Sequence, residues 1–324
     1  MKDEKKEMNL AYGGQALIEG VLMRGQDGYA FTVRKPDKTL HKEYQACVSL
    51  GKRIKFLGLP FIRGIAGFCE NLYFGMKIIN RSAEIAFPEE ASESGKETST
   101  FAMILTYVFA FGLAMLLFVA TPYFITSLFK LDHTKSPFLY NLVAGAIRMC
   151  FFFLYLFLIS FMKDTRRLFG YHGAEHKTIN AYEAGKELTI ENVRTSSRLH
   201  PRCGTSFIFI VFLITGVIFP FFNIFFNQFA WYLEAHRSLQ KLIIIVSHII
   251  VGMPIVSSVS YELLKLSAKF EKNPIVKLFV LPGLFFQLFS TREPEDEMIE
   301  TAISSLSMVI NKGENLNGQN NESV

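Results

Sequence analysis

Residues 101–129 contain no charged side chain, and about 20 predominantly apolar residues of helix are enough to cross a bilayer core. Three further runs have the same character. Phe138 to Met162 is broken only by Arg148, and Ser206 to Phe226 and Leu242 to Val259 follow. Four transmembrane helices are therefore predicted. A fifth apolar stretch, Ile275 to Phe289, is shorter, carries Lys277 and contains Pro282-Gly283. It reads as a re-entrant or interfacial segment and not as another crossing. Composition agrees: half the chain is hydrophobic, with 33 Phe. Charged residues make up 19%, against roughly 25% in globular domains. A disordered chain is excluded on these grounds, and an ordinary soluble enzyme is not expected.

The charges orient the bundle. Fifteen Lys and Arg precede the first span and eight lie between the second and third, while the other two inter-span loops hold two each. By the positive-inside rule both termini and the Lys163–Cys203 loop face the cytoplasm. The expected address is the cytoplasmic membrane, with several crossings. Topology thus accounts for the net charge of +5, and no nucleic-acid partner is expected. Met1 to Asn9 is charged with no apolar run behind it, so no signal peptide is expected. The four cysteines show no paired spacing that would mark a disulfide framework.

The predicted fold class is mainly α: a four-span bundle with a small cytoplasmic β-containing N-terminal unit and an interfacial or re-entrant C-terminal segment. Residues 1–53 form the β-rich unit, with one hairpin around Pro36-Asp37-Lys38. Residues 54–83 are amphipathic and interrupted by glycines, as expected of a segment lying on a membrane surface. Residues 84–100 are an acidic, Ser-rich linker. The membrane domain covers 101–260, a cytoplasmic or interfacial segment 261–310, and a disordered polar tail 311–324. Arg148 is costly in lipid and should face the bundle interior or snorkel, with Glu262 as its expected partner.

Chemistry concentrates in the central loop. Tyr171 to Glu183 favours helix, and Gly185 sits where a helix-ending glycine belongs. On a helix His172 and His176 share one face. Asn180 falls about 80° from His172, Glu183 about 20°, and Glu175 about 60° to the other side. His-x-x-Glu-His is the inverted zinc-protease spacing, with two His on a metal and the Glu acting on water. A second cluster, His200-Pro201-Arg202-Cys203-Gly204-Thr205-Ser206, precedes the third span. Cys203 is either a ligand, a thiol nucleophile paired with a His, or a buried structural residue. His200 is either a ligand or an ordinary loop residue, and the paired His could simply solvate a surface helix. In the N-terminal stretch Gly13 to Gly25, the glycine spacing fits neither a dinucleotide fingerprint nor a P-loop. Gln15, Glu19 and Arg24 there either enter a polar site or solvate the β unit.

Three motifs, Gly-Gly-Gln-Ala-x-Ile-Glu-Gly-Val-x-Met-Arg-Gly, Tyr-His-Gly-Ala-Glu-His-Lys-Thr and His-Pro-Arg-Cys-Gly-Thr-Ser-Phe, resemble the YqhQ-like family. These are bacterial membrane proteins classed as a domain of unknown function and labelled predicted metal-dependent enzymes. The resemblance runs over nearly the whole chain, from Tyr12 to Ser307. It implies a metal at His172 and His176, with His200 or Cys203, and a cytoplasmic-membrane address, but no substrate.

The functional expectation is a metal-dependent membrane enzyme, a hydrolase by class. His172 and His176 bind a divalent ion, zinc by ligand preference. Glu183, His200 or Cys203 completes the site, Glu175 is the base, and Lys177 or Arg202 stabilises negative charge. The alternative is a non-catalytic assembly or scaffold protein with a structural metal or polar interface at the same residues. A transporter finds little support, since no internal repeat is visible. Beyond the lipid bilayer and an unnamed substrate, a membrane-protein partner or a second copy is open.

Overall fold

In a computed structural model, residues 12–25, 27–89, 100–270 and 273–321 are described. Four strands, β1 (Gly13–Leu17), β2 (Gly20–Arg24), β3 (Gly28–Arg34) and β4 (Leu40–Ala46), form an antiparallel meander in chain order. The expected hairpin around Pro36-Asp37-Lys38 joins β3 to β4, with Lys38 in the left-handed region at φ 66°. The expectation of one hairpin was too small. Gly20 pairs with Leu17, so Ile18-Glu19 is a second tight turn, with Glu19 at φ 51°.

The central strands are apolar on both faces because helices cover both. Alternate side chains point to opposite sides of a strand. Val21, Met23 and Ala30 pack against helix α4 (Lys163–Glu183) and helix α8 (Asp296–Asn321). Leu22, Phe31 and Val33 pack on the other face with Ile78 and Ala86 of helix α1 (Ile62–Ala86). Thus the glycine-interrupted segment does not merely lie on a surface. It is a helix docked on the sheet on one side and on the membrane bundle on the other. At its start Arg63 holds Glu262 through Nε (2.7 Å) and Nη2. Gly64 lets it approach Ser258 and Tyr261, which would stand 3.0 Å from an added Cβ.

Among the described residues four helices are long and apolar enough to cross a membrane: α2 (Ile104–Leu128), α3 (Pro137–Ile159), α5 (Gly204–Phe226, apolar from Phe207) and α6 (Arg237–Ser267). Helix α7 (Pro274–Ser290) is apolar but shorter. It is one continuous helix with Pro282 inside it, packed through Phe286 on Leu156 of α3 and Phe209 of α5. Phe153 and Phe286 stack with ring centroids 4.2 Å apart.

Two π-helical segments, Leu116–Ala120 and His248–Gly252, lie just before Pro122 and Pro254. Proline offers no N–H to the ladder, and a widened turn is one way the chain accommodates it. This corrects the expected partner of Arg148. Glu262 is held by Arg63, whereas Arg148 is buried and donates Nε–H to the Phe118 carbonyl at 2.8 Å. Phe118 is four residues before Pro122, so its ordinary helical donor is missing, and the guanidinium supplies one.

Helix α4 follows α3 after a three-residue break and ends as expected. Gly185 takes φ 69°, and the N–H groups of Gly185 and Lys186 close on the carbonyls of Tyr182 and Ala181. That double closure is the Schellman motif. At the other end of the chain, α8 continues to Asn321. The polar residues 311–321, where a disordered tail is expected, continue this helix, and no proline interrupts them. Residues 322–324 lie outside the described residues, as do 1–11 and the part 90–99 of the linker. The sheet, α4 and α8 share one end of the bundle, and the candidate site lies there.

Candidate metal centre

Helix α4 is held between two irregular segments, 195–203 before α5 and 291–295 after α7. The first segment and the last residue of α7 supply backbone carbonyls to its histidines. His172 Nδ1 lies 2.8 Å from the Ser290 carbonyl and His176 Nδ1 lies 2.6 Å from the Arg198 carbonyl. A carbonyl can only accept, so each Nδ1 carries the proton. Each Nε2 is left with a lone pair, which is the tautomer that outer hydrogen bonds impose on metal-ligating histidine. His172 Nε2 lies 3.2 Å from Cys203 Sγ. His176 Nε2 is buried and makes no hydrogen bond.

One ligand atom from each of His172, His176 and Cys203 lies within 4.8 Å of the others. Tetrahedral zinc, with bonds of about 2.0–2.3 Å, places ligand atoms about 3.3–3.8 Å apart. Two imidazoles and a thiol are borderline-soft donors of the kind zinc takes. The residues present therefore fit such an ion, and the buried, unpartnered Nε2 is an atom it would satisfy.

Glu175 stands beside this triad. Its Oε2 is 3.9 Å from His172 Nε2. Burial lifts its carboxyl to about 7, against the opposing pull of His172 and the Gly14 N–H. Gly14 is glycine for a steric reason: an added Cβ would stand 2.7 Å from both Glu175 Cγ and the Leu22 carbonyl. The N-terminal glycine motif thus forms a wall of the site through its backbone.

Other expected residues fall elsewhere. Glu183 and His200 are not in the ligand triad. Their side chains approach each other at 3.6 Å, and Arg202 bonds to both. Glu183 shares an angular face with His172 but lies eleven residues further on, about 16 Å along the axis at 1.5 Å per residue. His200 and Arg202 hold Glu183 below the usual carboxylate range, outweighing the burial that pushes it up. Lys177 points away from the site, bonding the Arg194 carbonyl and Glu293, each at 2.8 Å. It is five residues past His172 and so on another face of the helix. Glu19 pairs with Arg167 and accepts from Tyr171, fastening the β1–β2 turn to α4. Arg24 pairs with Glu70 and Asn71 of α1. The Gln15 amide packs against Gly75.

One contributor was not anticipated. Gln287 of α7 makes a two-way bond with the backbone of His200, accepting from its N–H at 2.8 Å and donating to its carbonyl at 2.7 Å. A lone amide in an otherwise apolar run was the available signal, since such groups face protein rather than lipid. Asn180, expected on the His172 face, donates instead to the carbonyls of Ser197 and Leu199. Together they fix the loop that carries Cys203.

Fold and site define a helical membrane protein with a His/His/Cys cluster at one end of its bundle. The family described as "Protein of unknown function (DUF1385)" matches residues 59–312, and the chain belongs to that family. It is also 32% identical over 320 residues, 94% of each chain, to the "Uncharacterized protein YqhQ" of Bacillus subtilis (strain 168). No solved structure matches the chain.

Proposed function

We propose that the protein is a metal-dependent enzyme of the cytoplasmic membrane, a hydrolase by class, acting at the cytoplasmic face. The observation that carries this reading is the direction of the two imidazoles. Both Nδ1–H groups are committed to backbone carbonyls, and the Nε2 atoms converge with Cys203 Sγ. His172, His176 and Cys203 would hold a divalent ion, zinc by ligand chemistry. Bound there, it would act as a Lewis acid and make water more acidic. Three protein ligands leave one tetrahedral position open, the arrangement of catalytic rather than structural zinc. Glu175 takes a proton from water in the site. A carboxyl lifted to about 7 is matched to that task near neutral pH. Arg202, next in sequence to Cys203, offsets negative charge that develops on the substrate.

A second reading rests on the 3.2 Å contact of Cys203 Sγ with His172 Nε2. That contact suits a thiol nucleophile with a histidine base. Elemental analysis of detergent-purified protein separates the two. Wild type is expected to carry about one zinc per chain, the stoichiometry of a mononuclear site. His172→Ala, His176→Ala and Cys203→Ser should each lose most of it. Wild-type protein from metal-replete cells that carries no transition metal would leave the thiol reading in its place.

The cytoplasmic orientation follows from charge. The basic loops are those that meet the sheet, α4 and α8 at one end of the bundle. A reporter fused after Met162 or at the C-terminus should behave as cytoplasmic, and one between Phe129 and Phe138 as external. An external 163–203 segment would remove the cytoplasmic site.

A further inference from the structure

A cavity of about 600 Å³ lies between the sheet, α1 and the ends of α5 and α6. Small-molecule sites fall in the range of about 300–1,000 Å³. Three of its lining residues adjoin the candidate centre. Gly14 donates its N–H to Glu175, and Arg202 and Gly204 flank Cys203. The cavity therefore adjoins the candidate centre.

Its lining is of two kinds. Arg24 and Arg202 are the cations, and among the described lining residues there is no carboxylate. Each arginine is backed by an acid outside the lining, Glu70 and Glu183, which fixes the guanidinium in place. Phe68, Phe74, Phe207 and Leu264 make the lining apolar elsewhere. The position in the bundle matters as much as the chemistry. The apolar span of α5 begins at Phe207, and Leu264 sits one turn before the end of the α6 span at Ser267. The cavity thus lies at the level where hydrocarbon gives way to head groups. Phe68 lines it and is also 45% exposed, in a stripe with Ile65, Leu72 and Met76 along the outer face of α1. Such a stripe rests in a membrane interface, so this wall borders on lipid.

We infer that the cavity takes a membrane amphiphile with a phosphate-bearing head group. The head sits by Arg24 and Arg202, and the tail lies along the aromatic wall toward the bilayer. Arginine recognises phosphate through its planar fork of donors. The inference rests on the proposed function for its role as substrate, but not for binding.

The test uses the full chain in phosphatidylcholine nanodiscs containing a trace of photoactivatable phosphatidic acid. Label is expected on peptides holding Phe68, Phe207 and Leu264. Excess unlabelled phosphatidic acid should reduce it at least about tenfold, by competition for the same site. Inorganic phosphate should not. Leu264→Trp, which fills the apolar part, should lower labelling with metal content unchanged. Arg24→Gln should abolish the preference for phosphatidic acid over phosphatidylcholine. Labelling confined to the outer faces of the spans, or indifferent to the head group, overturns the proposal. Displacement by inorganic phosphate alone also overturns it, because the ligand is then a soluble anion. Metal content of the same samples separates the two ideas. Labelled protein without metal supports the lipid site and defeats the metal enzyme; metal without labelling defeats the lipid site alone.

Discussion

Glu175→Gln is expected to abolish function in a cell that depends on the protein, while metal content, expression and membrane insertion stay at wild type. The amide keeps the size of the side chain and can still accept from the Gly14 N–H, but it cannot take a proton. A positioned general base contributes about 10²–10⁴ in rate, enough to decide complementation. Glu175 does not belong to the His172, His176, Cys203 triad, so its loss leaves the ligands intact. His172→Ala should instead lose both metal and function. A scaffold gives a different pattern. There a buried amide in place of a carboxyl that is already near neutrality would be silent. Full complementation by Glu175→Gln would end the hydrolytic mechanism and leave the metal site standing.

The largest loss of stability is expected from Gly173→Ala. An added Cβ would stand 2.0 Å from the Arg292 carbonyl oxygen and 3.2 Å from its carbon, both backbone atoms. Alanine is favoured over glycine by about 1 kcal/mol inside a helix, so helix propensity works against the prediction. The clash outweighs it because the facing segment cannot retreat freely. Arg292 N–H bonds the Phe169 carbonyl at 2.8 Å. Arg198 bonds the Thr291 carbonyl, and Ser290 holds His172, each also at 2.8 Å. Overpacking of this kind costs about 1–3 kcal/mol and sometimes more, and here the upper end applies. Thermal unfolding in detergent should show it, together with loss of metal, because retreat of 290–292 releases His172. Gly13→Ala is the control, with nothing within 4 Å of its added Cβ. A Gly173→Ala protein within about 0.5 kcal/mol of wild type, the range of neutral surface changes, would mean that this segment does not press on α4.

Much of this architecture was legible in one dimension, for reasons that differ by element. The four spans were readable because a bilayer sets a minimum apolar length that few soluble segments reach. The end of α4 was readable because Gly185 is needed at positive φ. His172 and His176 were paired by helical periodicity, which requires no partner element. The same periodicity misled where rotation was considered without rise, as with Glu183, and where a charge was assigned to the site by sequence proximity, as with Lys177. Arg148 was assigned to the wrong partner because a carboxylate is visible in a sequence, whereas a carbonyl freed by a proline is not.

The sequence by itself determined the class of protein, the helix that carries the histidines, and the residue types able to bind a metal. These follow from local properties: hydropathy over a window, spacing on a helix, and donor chemistry. Only the tertiary structure decided that Cys203, and not Glu183 or His200, joins the two histidines, and that Gly14 closes on Glu175. It also decided which imidazole nitrogens are free, through the carbonyls of Ser290 and Arg198. Those carbonyls are more than twenty residues from the groups they orient. Every residue has a carbonyl, so no residue type announces which one will face a histidine; that is fixed only when segments far apart in the chain pack together.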